Sequence, residues 1–216
     1  TLAYTLSKVI DDLPDQTSVV VGSSGDEVKI VQNTLNTRDD RAPGVSDQRH
    51  LLTLSGMWDL SYANKHSNPA ARWILGFWQL SGIFTAASPR PFSGKLGTDI
   101  NNDGNRATDR VPGLGRNTFR KFNLAQADLR IQRDFPITER ARFSFIAEAF
   151  NLTNRANFAT VNDTMMRVVG ATADIAAGRA RLEPVAAFGT PRTTVEQDVL
   201  GQPFGRMWQL ALKFTF

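Results

Sequence analysis

Six segments of this chain alternate apolar and polar residues with period two, and the connections between them are alternately long and short. The segment Arg206–Phe216 is the cleanest case. Trp208, Leu210, Leu212, Phe214 and Phe216 fall on one face, and Met207, Gln209, Ala211, Lys213 and Thr215 on the other. Period two is the signature of a strand with two unlike faces. In Ala141–Ala149, the residues Ala141, Phe143, Phe145, Ala147 and Ala149 oppose Arg142, Ser144 and Glu148, with Ile146 as an exception. In Ala125–Phe135, the residues Ala125, Ala127, Leu129, Ile131 and Phe135 oppose Gln126, Asp128, Arg130, Gln132 and Asp134. Arg133 interrupts that apolar face near its end. Arg49–Tyr62 and Ala71–Ala87 alternate in the same way, and Leu2–Ile10 does so more weakly. No segment has a convincing helical pattern, although Ala171–Arg181 suits a short helix within a loop.

The connections Asn64–Pro69 and Pro136–Glu139 are short. Asp11–Gln48, Ser88–Lys121 and Thr153–Gly205 are long and rich in Gly, Asn, Asp, Pro, Ser and Thr, the chemistry of loops. A compact soluble domain rarely carries several long loops without structure of their own. Barrels of the outer membrane do, with short turns on the periplasmic side and long loops outside. By parity the last strand then runs inward and ends on the periplasmic side.

Composition is compatible with that reading. Hydrophobic residues make up 41% and the mean hydropathy is −0.27, because alternating strands keep the average low. No run approaches the roughly 20 apolar residues of a spanning helix. The chain has no cysteine, hence neither a disulfide framework nor a thiolate metal site. The net charge of +4 comes from scattered basic residues, so no nucleic-acid partner is expected. The first residue is Thr and no signal peptide precedes the first segment, so the chain is expected to be a piece of something longer.

The expected fold is therefore all-β: an antiparallel up-and-down transmembrane β-barrel fragment of about six strands with long extracellular loops. From Trp208 to Phe216 the strand covers about 26 Å at about 3.3 Å per residue. Tilted by about 40°, this rises about 20 Å, close to the apolar band of about 25 Å. Aromatics at both ends of that face, with Trp58, Tyr62 and Trp73 beside one short turn, suit the interfacial girdles. The alternative is a soluble extracellular β-sandwich binding module, whose strands also alternate. Six strands do not close a membrane barrel, since the smallest have about eight. An open sheet would leave two unpaired edges in lipid.

The polar residues Asp128, Arg130, Gln132, Asp134, Arg142 and Glu148 are expected to line the lumen as a hydrated salt-bridge network. Asp99, Asn101, Asp103 and Asn105, followed by Asp109, place oxygen ligands at alternate positions around Gly104, as a calcium loop does. The bidentate Glu of such a loop is absent, Arg110 standing in its place. An Asn/Asp/Gly turn explains the same residues. His50 and His66 have no partners at zinc spacing. There is no nucleophile motif, phosphate loop or dinucleotide fingerprint, so an enzyme is not expected. No cofactor is expected apart from calcium at that loop.

The chain also resembles a known family. YTLSKVIDD (Tyr4–Asp12), SDQRHLLTLSGMWDL (Ser46–Leu60), GFWQLSGIFTAASPRPF (Gly76–Phe92), DINNDGNRATDR (Asp99–Arg110), FNLAQADLRIQRDFPITERARFSFIAEAFNLTNRANF (Phe122–Phe158) and MWQLALKFTF (Met207–Phe216) resemble, in order, the end of the barrel in TonB-dependent outer-membrane receptors of the Oar-like branch. The resemblance covers nearly the whole chain, residues 1–216. It implies a barrel of about 22 strands, with an N-terminal plug and a TonB-contacting segment outside this sequence. It implies as partners the outer-membrane lipid, the rest of the barrel and its plug, the TonB complex and the barrel-assembly machinery. Trp208, Leu210, Leu212, Phe214 and Phe216 would form the signal which that machinery reads. The implied function is uptake of an unidentified substrate. The alternative is a barrel acting in adhesion or surface assembly without transport.

Overall fold

The computed structural model describes residues 1–12, 31–33, 35–102, 106, 109–170, 174, 177–195 and 205–216. In chain order the strands are β1 (Leu2–Leu6), β2 (Ile10–Asp11), β3 (Ala42–Pro43), β4 (His50–Asp59), β5 (Trp78–Ala87), β6 (Pro91–Phe92) and β7 (Phe119–Arg120). They continue with β8 (Leu124–Pro136), β9 (Arg142–Phe150), β10 (Phe158–Val161), β11 (Met166–Val169), β12 (Arg181–Pro184), β13 (Pro191–Thr194) and β14 (Met207–Thr215). Between β4 and β5 lie a 3-10 turn at Ser61–Lys65 and the helix α1 (Pro69–Leu75).

The main sheet has six antiparallel strands in the order β1-β4-β5-β8-β9-β14, each beside its neighbour in sequence among the long strands. This is the up-and-down meander that the alternation implies. The register runs Leu54↔Phe84 between β4 and β5, Leu80↔Ile131 between β5 and β8, and Ile131↔Ala147 between β8 and β9. It ends on Leu210↔Ala147 between β14 and β9. One row thus joins Trp58, Leu80, Ile131, Ala147 and Leu210 on a single apolar face. The next row joins Met57, Ser81, Arg130, Glu148 and Gln209 on the other.

The ladder is also sheared. β1 pairs with the half of β4 nearest the long connections, Leu2 against Leu54 and Leu6 against His50. β14 pairs with β9, whose partners Leu129–Pro136 lie in the half of β8 nearest the short turn. A cumulative stagger of this kind is what a sheet needs to curl into a tilted barrel.

Three sequence expectations change. The first strand ends at Leu6, and Ile10 instead pairs with Pro43 in a small β2–β3 ladder. The segment from Ala71 does not extend a strand back from Trp78: Pro69–Leu75 is helical. Asn68 caps it, its Oδ1 accepting from Ala70 N at 2.9 Å and Ala71 N at 3.3 Å, and Pro69 supplies a preset φ at the first turn. The connection expected at Asn64–Pro69 therefore runs from Leu60 to Phe77. The short helix expected at Ala171–Arg181 lies partly outside the described residues; within it Asp174 is helical, while Gly178 sits in a turn with φ +68° and Arg181 opens β12.

The long connections are not structureless either. Among the described residues they hold four small ladders, β2–β3, β6–β7, β10–β13 and β11–β12. Most side chains nearly closed to solvent lie there and not in the main sheet: Asp40, Asp47, Leu96, Asp109, Asn151 and Asn157 are all under 2% exposed. The long connections thus form a packed layer at one end of the sheet.

Candidate functional site

Two arrangements stand out: the polar face of β8 and β9, and the loop layer at their end. Along β8, alternation sends Gln126, Asp128, Arg130, Gln132 and Asp134 to the same side. Gln126 Nε2 donates to Asp128 Oδ1 at 3.2 Å. Arg130 Nη2 donates to Gln132 Oε1 at 2.8 Å, and Gln132 Nε2 to Asp134 Oδ1 at 3.0 Å. β9 cross-links this chain of bonds. Arg130 Nη1 lies 3.3 Å from Glu148 Oε1, and Arg142 Nη1 lies 3.9 Å from Asp134 Oδ2. Asp128 Oδ1 also accepts from Asn151 N at 2.9 Å, where β9 turns into the loop layer. The six residues expected to line the lumen therefore share one face: Arg130, Gln132, Asp134, Arg142 and Glu148 form one network, and Asp128 bonds to Gln126 and Asn151.

Against this face lies an open groove of about 520 Å³ lined by Ser55, Ser81, Asp128, Arg130 and Glu148, with Met57 and Ile83 as apolar members. Met57, Ile83 and Ile146 depart from the alternation. They place apolar side chains on this otherwise polar face, and Ile146 is buried.

The opposite face carries Leu54, Trp58, Leu80, Ile131, Phe143 and Phe145. Trp208, Leu210, Leu212 and Phe214 continue it on β14, each more than half exposed. Phe216 stacks on Phe214 with centroids 5.9 Å apart. No second sheet covers this face among the described residues. Arg133, the exception in this face, is resolved by its surroundings. Its guanidinium carbon lies 4.9 Å from the Trp73 ring, 5.0 Å from Trp78 and 4.6 Å from Phe135, so the charge is held against aromatic faces.

The loop layer rests on ion pairs between residues far apart in the sequence. Arg110 pairs with Asp40, and Arg116 with Asp11. Arg120 Nη2 lies 2.8 Å from Asp47 Oδ2. Arg116 Nε further donates to the Asp40 carbonyl at 2.7 Å. Asp47 also accepts from Val9 N at 2.9 Å. That backbone bond, with burial opposing it and Arg120 assisting, holds its carboxyl below the usual carboxylate range. Burial pushes the Arg116 guanidinium down. Lys95 reaches the third connection through Asp163 Oδ2 at 2.7 Å. Phe92 and Phe119 of the second connection pack against Phe188 of the third, with ring centroids 5.0 to 5.7 Å apart. The only sequence trace is the recurrence of Arg110, Arg116 and Arg120 in an otherwise Gly- and Pro-rich stretch.

Between the first two long connections lies a cavity of about 970 Å³ lined by Gln32, Asn33, Asp39, Asn101 and Arg110, with Ile100 and Leu114 among its apolar members.

The calcium-like motif lies at its edge. Asp103 and Asn105 fall outside the described residues. Asp99 Oδ1 accepts from Asn102 N at 2.7 Å, and Asn101 Nδ2 donates to Gln32 O at 2.9 Å. Asp109 is fully buried and accepts from Ile100 N at 3.1 Å. These bonds make a side-chain-stabilised turn. Among the described residues no three acidic or histidine side chains converge as a metal site.

Tyr4 Oη and His50 Nδ1 are 2.8 Å apart at the exposed end of β1 and β4, and His66 Nδ1 accepts from Asn68 N at 3.1 Å. Asn151, a nominal glycosylation acceptor, is fully buried and bonded to the backbone of Arg155.

Comparison with known proteins is consistent with this geometry. A family model described as an outer membrane beta barrel domain matches residues 1–114 and 112–198. No curated protein and no solved structure matches the chain.

Proposed function

The chain belongs to the outer membrane β-barrel family, and from that premise we propose that it is the C-terminal barrel portion of a TonB-dependent receptor of the Oar-like type. The family places it in the bacterial outer membrane and removes the soluble sandwich as an alternative. The apolar face then meets lipid, and the polar face turns to the lumen.

The observation that carries the transport reading is the hydrogen-bonded polar face, Gln126 to Asp134 with Arg142 and Glu148, of which Asp128, Arg130 and Glu148 line an adjoining groove. A wall of fixed donors and acceptors suits a lumen filled by a removable plug and crossed by a polar substrate. The six-stranded sheet with edges at β1 and β14 supports a larger barrel. The outer cavity between the long connections would take part in substrate capture. Plug, TonB and assembly machinery are the partners this reading requires; it assigns the chain no reaction.

The test uses the full-length protein and the periplasmic domain of TonB. Specific capture of that domain, with substrate uptake lost in cells lacking TonB, is the expected result. A barrel that neither binds TonB nor changes uptake on deletion overturns the reading. It would favour adhesion or surface assembly, which the packed, ion-paired loop layer supports as a second reading, because a preorganised outer surface suits lasting contacts.

A further inference from the structure

The connection Leu60–Phe77 carries more apolar surface than joining β4 to β5 requires. Trp73, Ile74 and Leu75, at the end of α1, are 64%, 56% and 54% exposed, and Tyr62 is 65% exposed. This exposure is not that of a sheet edge. β4 and β5 are inner strands, each paired on both sides.

The segment is nevertheless fixed in place. Arg133 donates to the Trp73 carbonyl. Trp78 Nε1 donates to Ile74 O at 2.9 Å, and Phe77 N donates to Asn64 Oδ1 at 2.6 Å. Arg133 and Trp78 belong to the apolar face of the sheet, so α1 is docked at the rim of that face, at the short-turn end. Its exposed residues continue the surface formed by Trp78, Phe135, Phe143 and Phe214. The charge pattern is equally one-sided. From Leu60 to Gln79 the chain contains Lys65, His66 and Arg72 and no Asp or Glu.

We propose that Ser61–Leu75 is a membrane-interface foot. Trp73, Ile74 and Leu75 insert at the boundary between headgroups and acyl chains of the adjoining phospholipid leaflet. Lys65 and Arg72 lie among anionic headgroup phosphates, and the Arg133–Trp73–Trp78–Phe135 stack fixes the foot's height. An exposed apolar tip beside cations is the pattern by which short segments lie in an interface, and basic residues next to it add attraction to anionic lipid. The inference requires that the barrel sit in a membrane and is independent of transport.

The full-length protein, freed of any other cysteine, is labelled with a small fluorophore at Ile74→Cys or, as an aqueous reference, at Arg140→Cys in the β8–β9 turn. It is reconstituted in vesicles of phosphatidylethanolamine and phosphatidylglycerol, with or without lipid brominated in the upper acyl chain. A heat-modifiable band on gels verifies folding of each variant. The expected result is strong quenching by brominated lipid at position 74 and little at 140, with aqueous iodide showing the reverse order. Quenching at 74 should also rise with phosphatidylglycerol content, and the rise should be lost when Lys65→Glu and Arg72→Glu are added. Iodide quenching at 74 equal to that at 140, without an effect of brominated lipid, overturns the foot and points to a soluble periplasmic contact. A phosphatidylglycerol dependence unchanged by the charge reversals overturns the headgroup contact.

Discussion

Arg130 on β8 and Glu148 on β9 stand directly opposite one another in the ladder, Nη1 3.3 Å from Oε1, on the sheet face opposite Ile131 and Ala147. The Arg130 side chain is 42% exposed, so water screens the pair. Double-mutant cycles with Arg130→Ala and Glu148→Ala in the full-length barrel should give a coupling of only about 0.2–1 kcal/mol. Urea unfolding in detergent measures it. A coupling of several kcal/mol would mean that the lumen at this level is dry.

The assignment of faces predicts a contrast between adjacent residues of β14. Leu210→Arg places a cation on the lipid face and should cost about 2–4 kcal/mol if it lies near the bilayer midplane. Gln209→Arg, one residue away on the polar face, should cost under about 1 kcal/mol. Unfolding free energies in phospholipid vesicles decide the matter. Equal costs would contradict the two-faced sheet.

Asp40→Ala leaves Arg110 buried without its counter-charge. Removing one partner of a buried pair costs about 3–5 kcal/mol. The loss should fall on the loop layer. Limited proteolysis should cut the first long connection faster, while the barrel retains its heat-modifiable gel shift. Simultaneous unfolding of both would show that layer and sheet form one cooperative unit.

Asp47 makes the loop layer acid-sensitive in one direction. Its folded pKa is depressed by the Val9 N–H bond and by Arg120. The ionised form is therefore favoured on folding. That stabilisation is fully present above the ordinary carboxylate pKa of about 3.9 and is lost as pH falls through the lower folded value. Hydrogen exchange at the Val9 amide should be protected at neutral pH and lose protection only in strong acid. Asp47→Asn should remove this acid dependence. Loss of protection already near neutrality would refute the assignment.

The sheet was largely legible because period-two patterning is local. β8 was expected at Ala125–Phe135 and runs Leu124–Pro136; β9 and β14 agree to a similar margin. The polar face followed from the same pattern. The helix Pro69–Leu75 is hidden in the sequence because the alternation of Trp78–Ala87 lies directly after it and masks the Asn68-Pro69 start signal. Arg133 read as a defect because its aromatic partners Trp73 and Trp78 come from another part of the chain. The loop layer was illegible for a related reason. Asp40–Arg110 and Asp11–Arg116 join residues 70 and 105 positions apart, and no spacing rule announces such pairs.

Those pairs also bear on how such a surface diversifies. The first long connection supplies the carboxylates Asp11, Asp40 and Asp47, and the second supplies Arg110, Arg116 and Arg120. Recombination that replaced one connection alone would strand three charges of one sign beneath the outer surface. The two stretches should therefore vary as a linked pair, with substitution at one partner matched by substitution at the other.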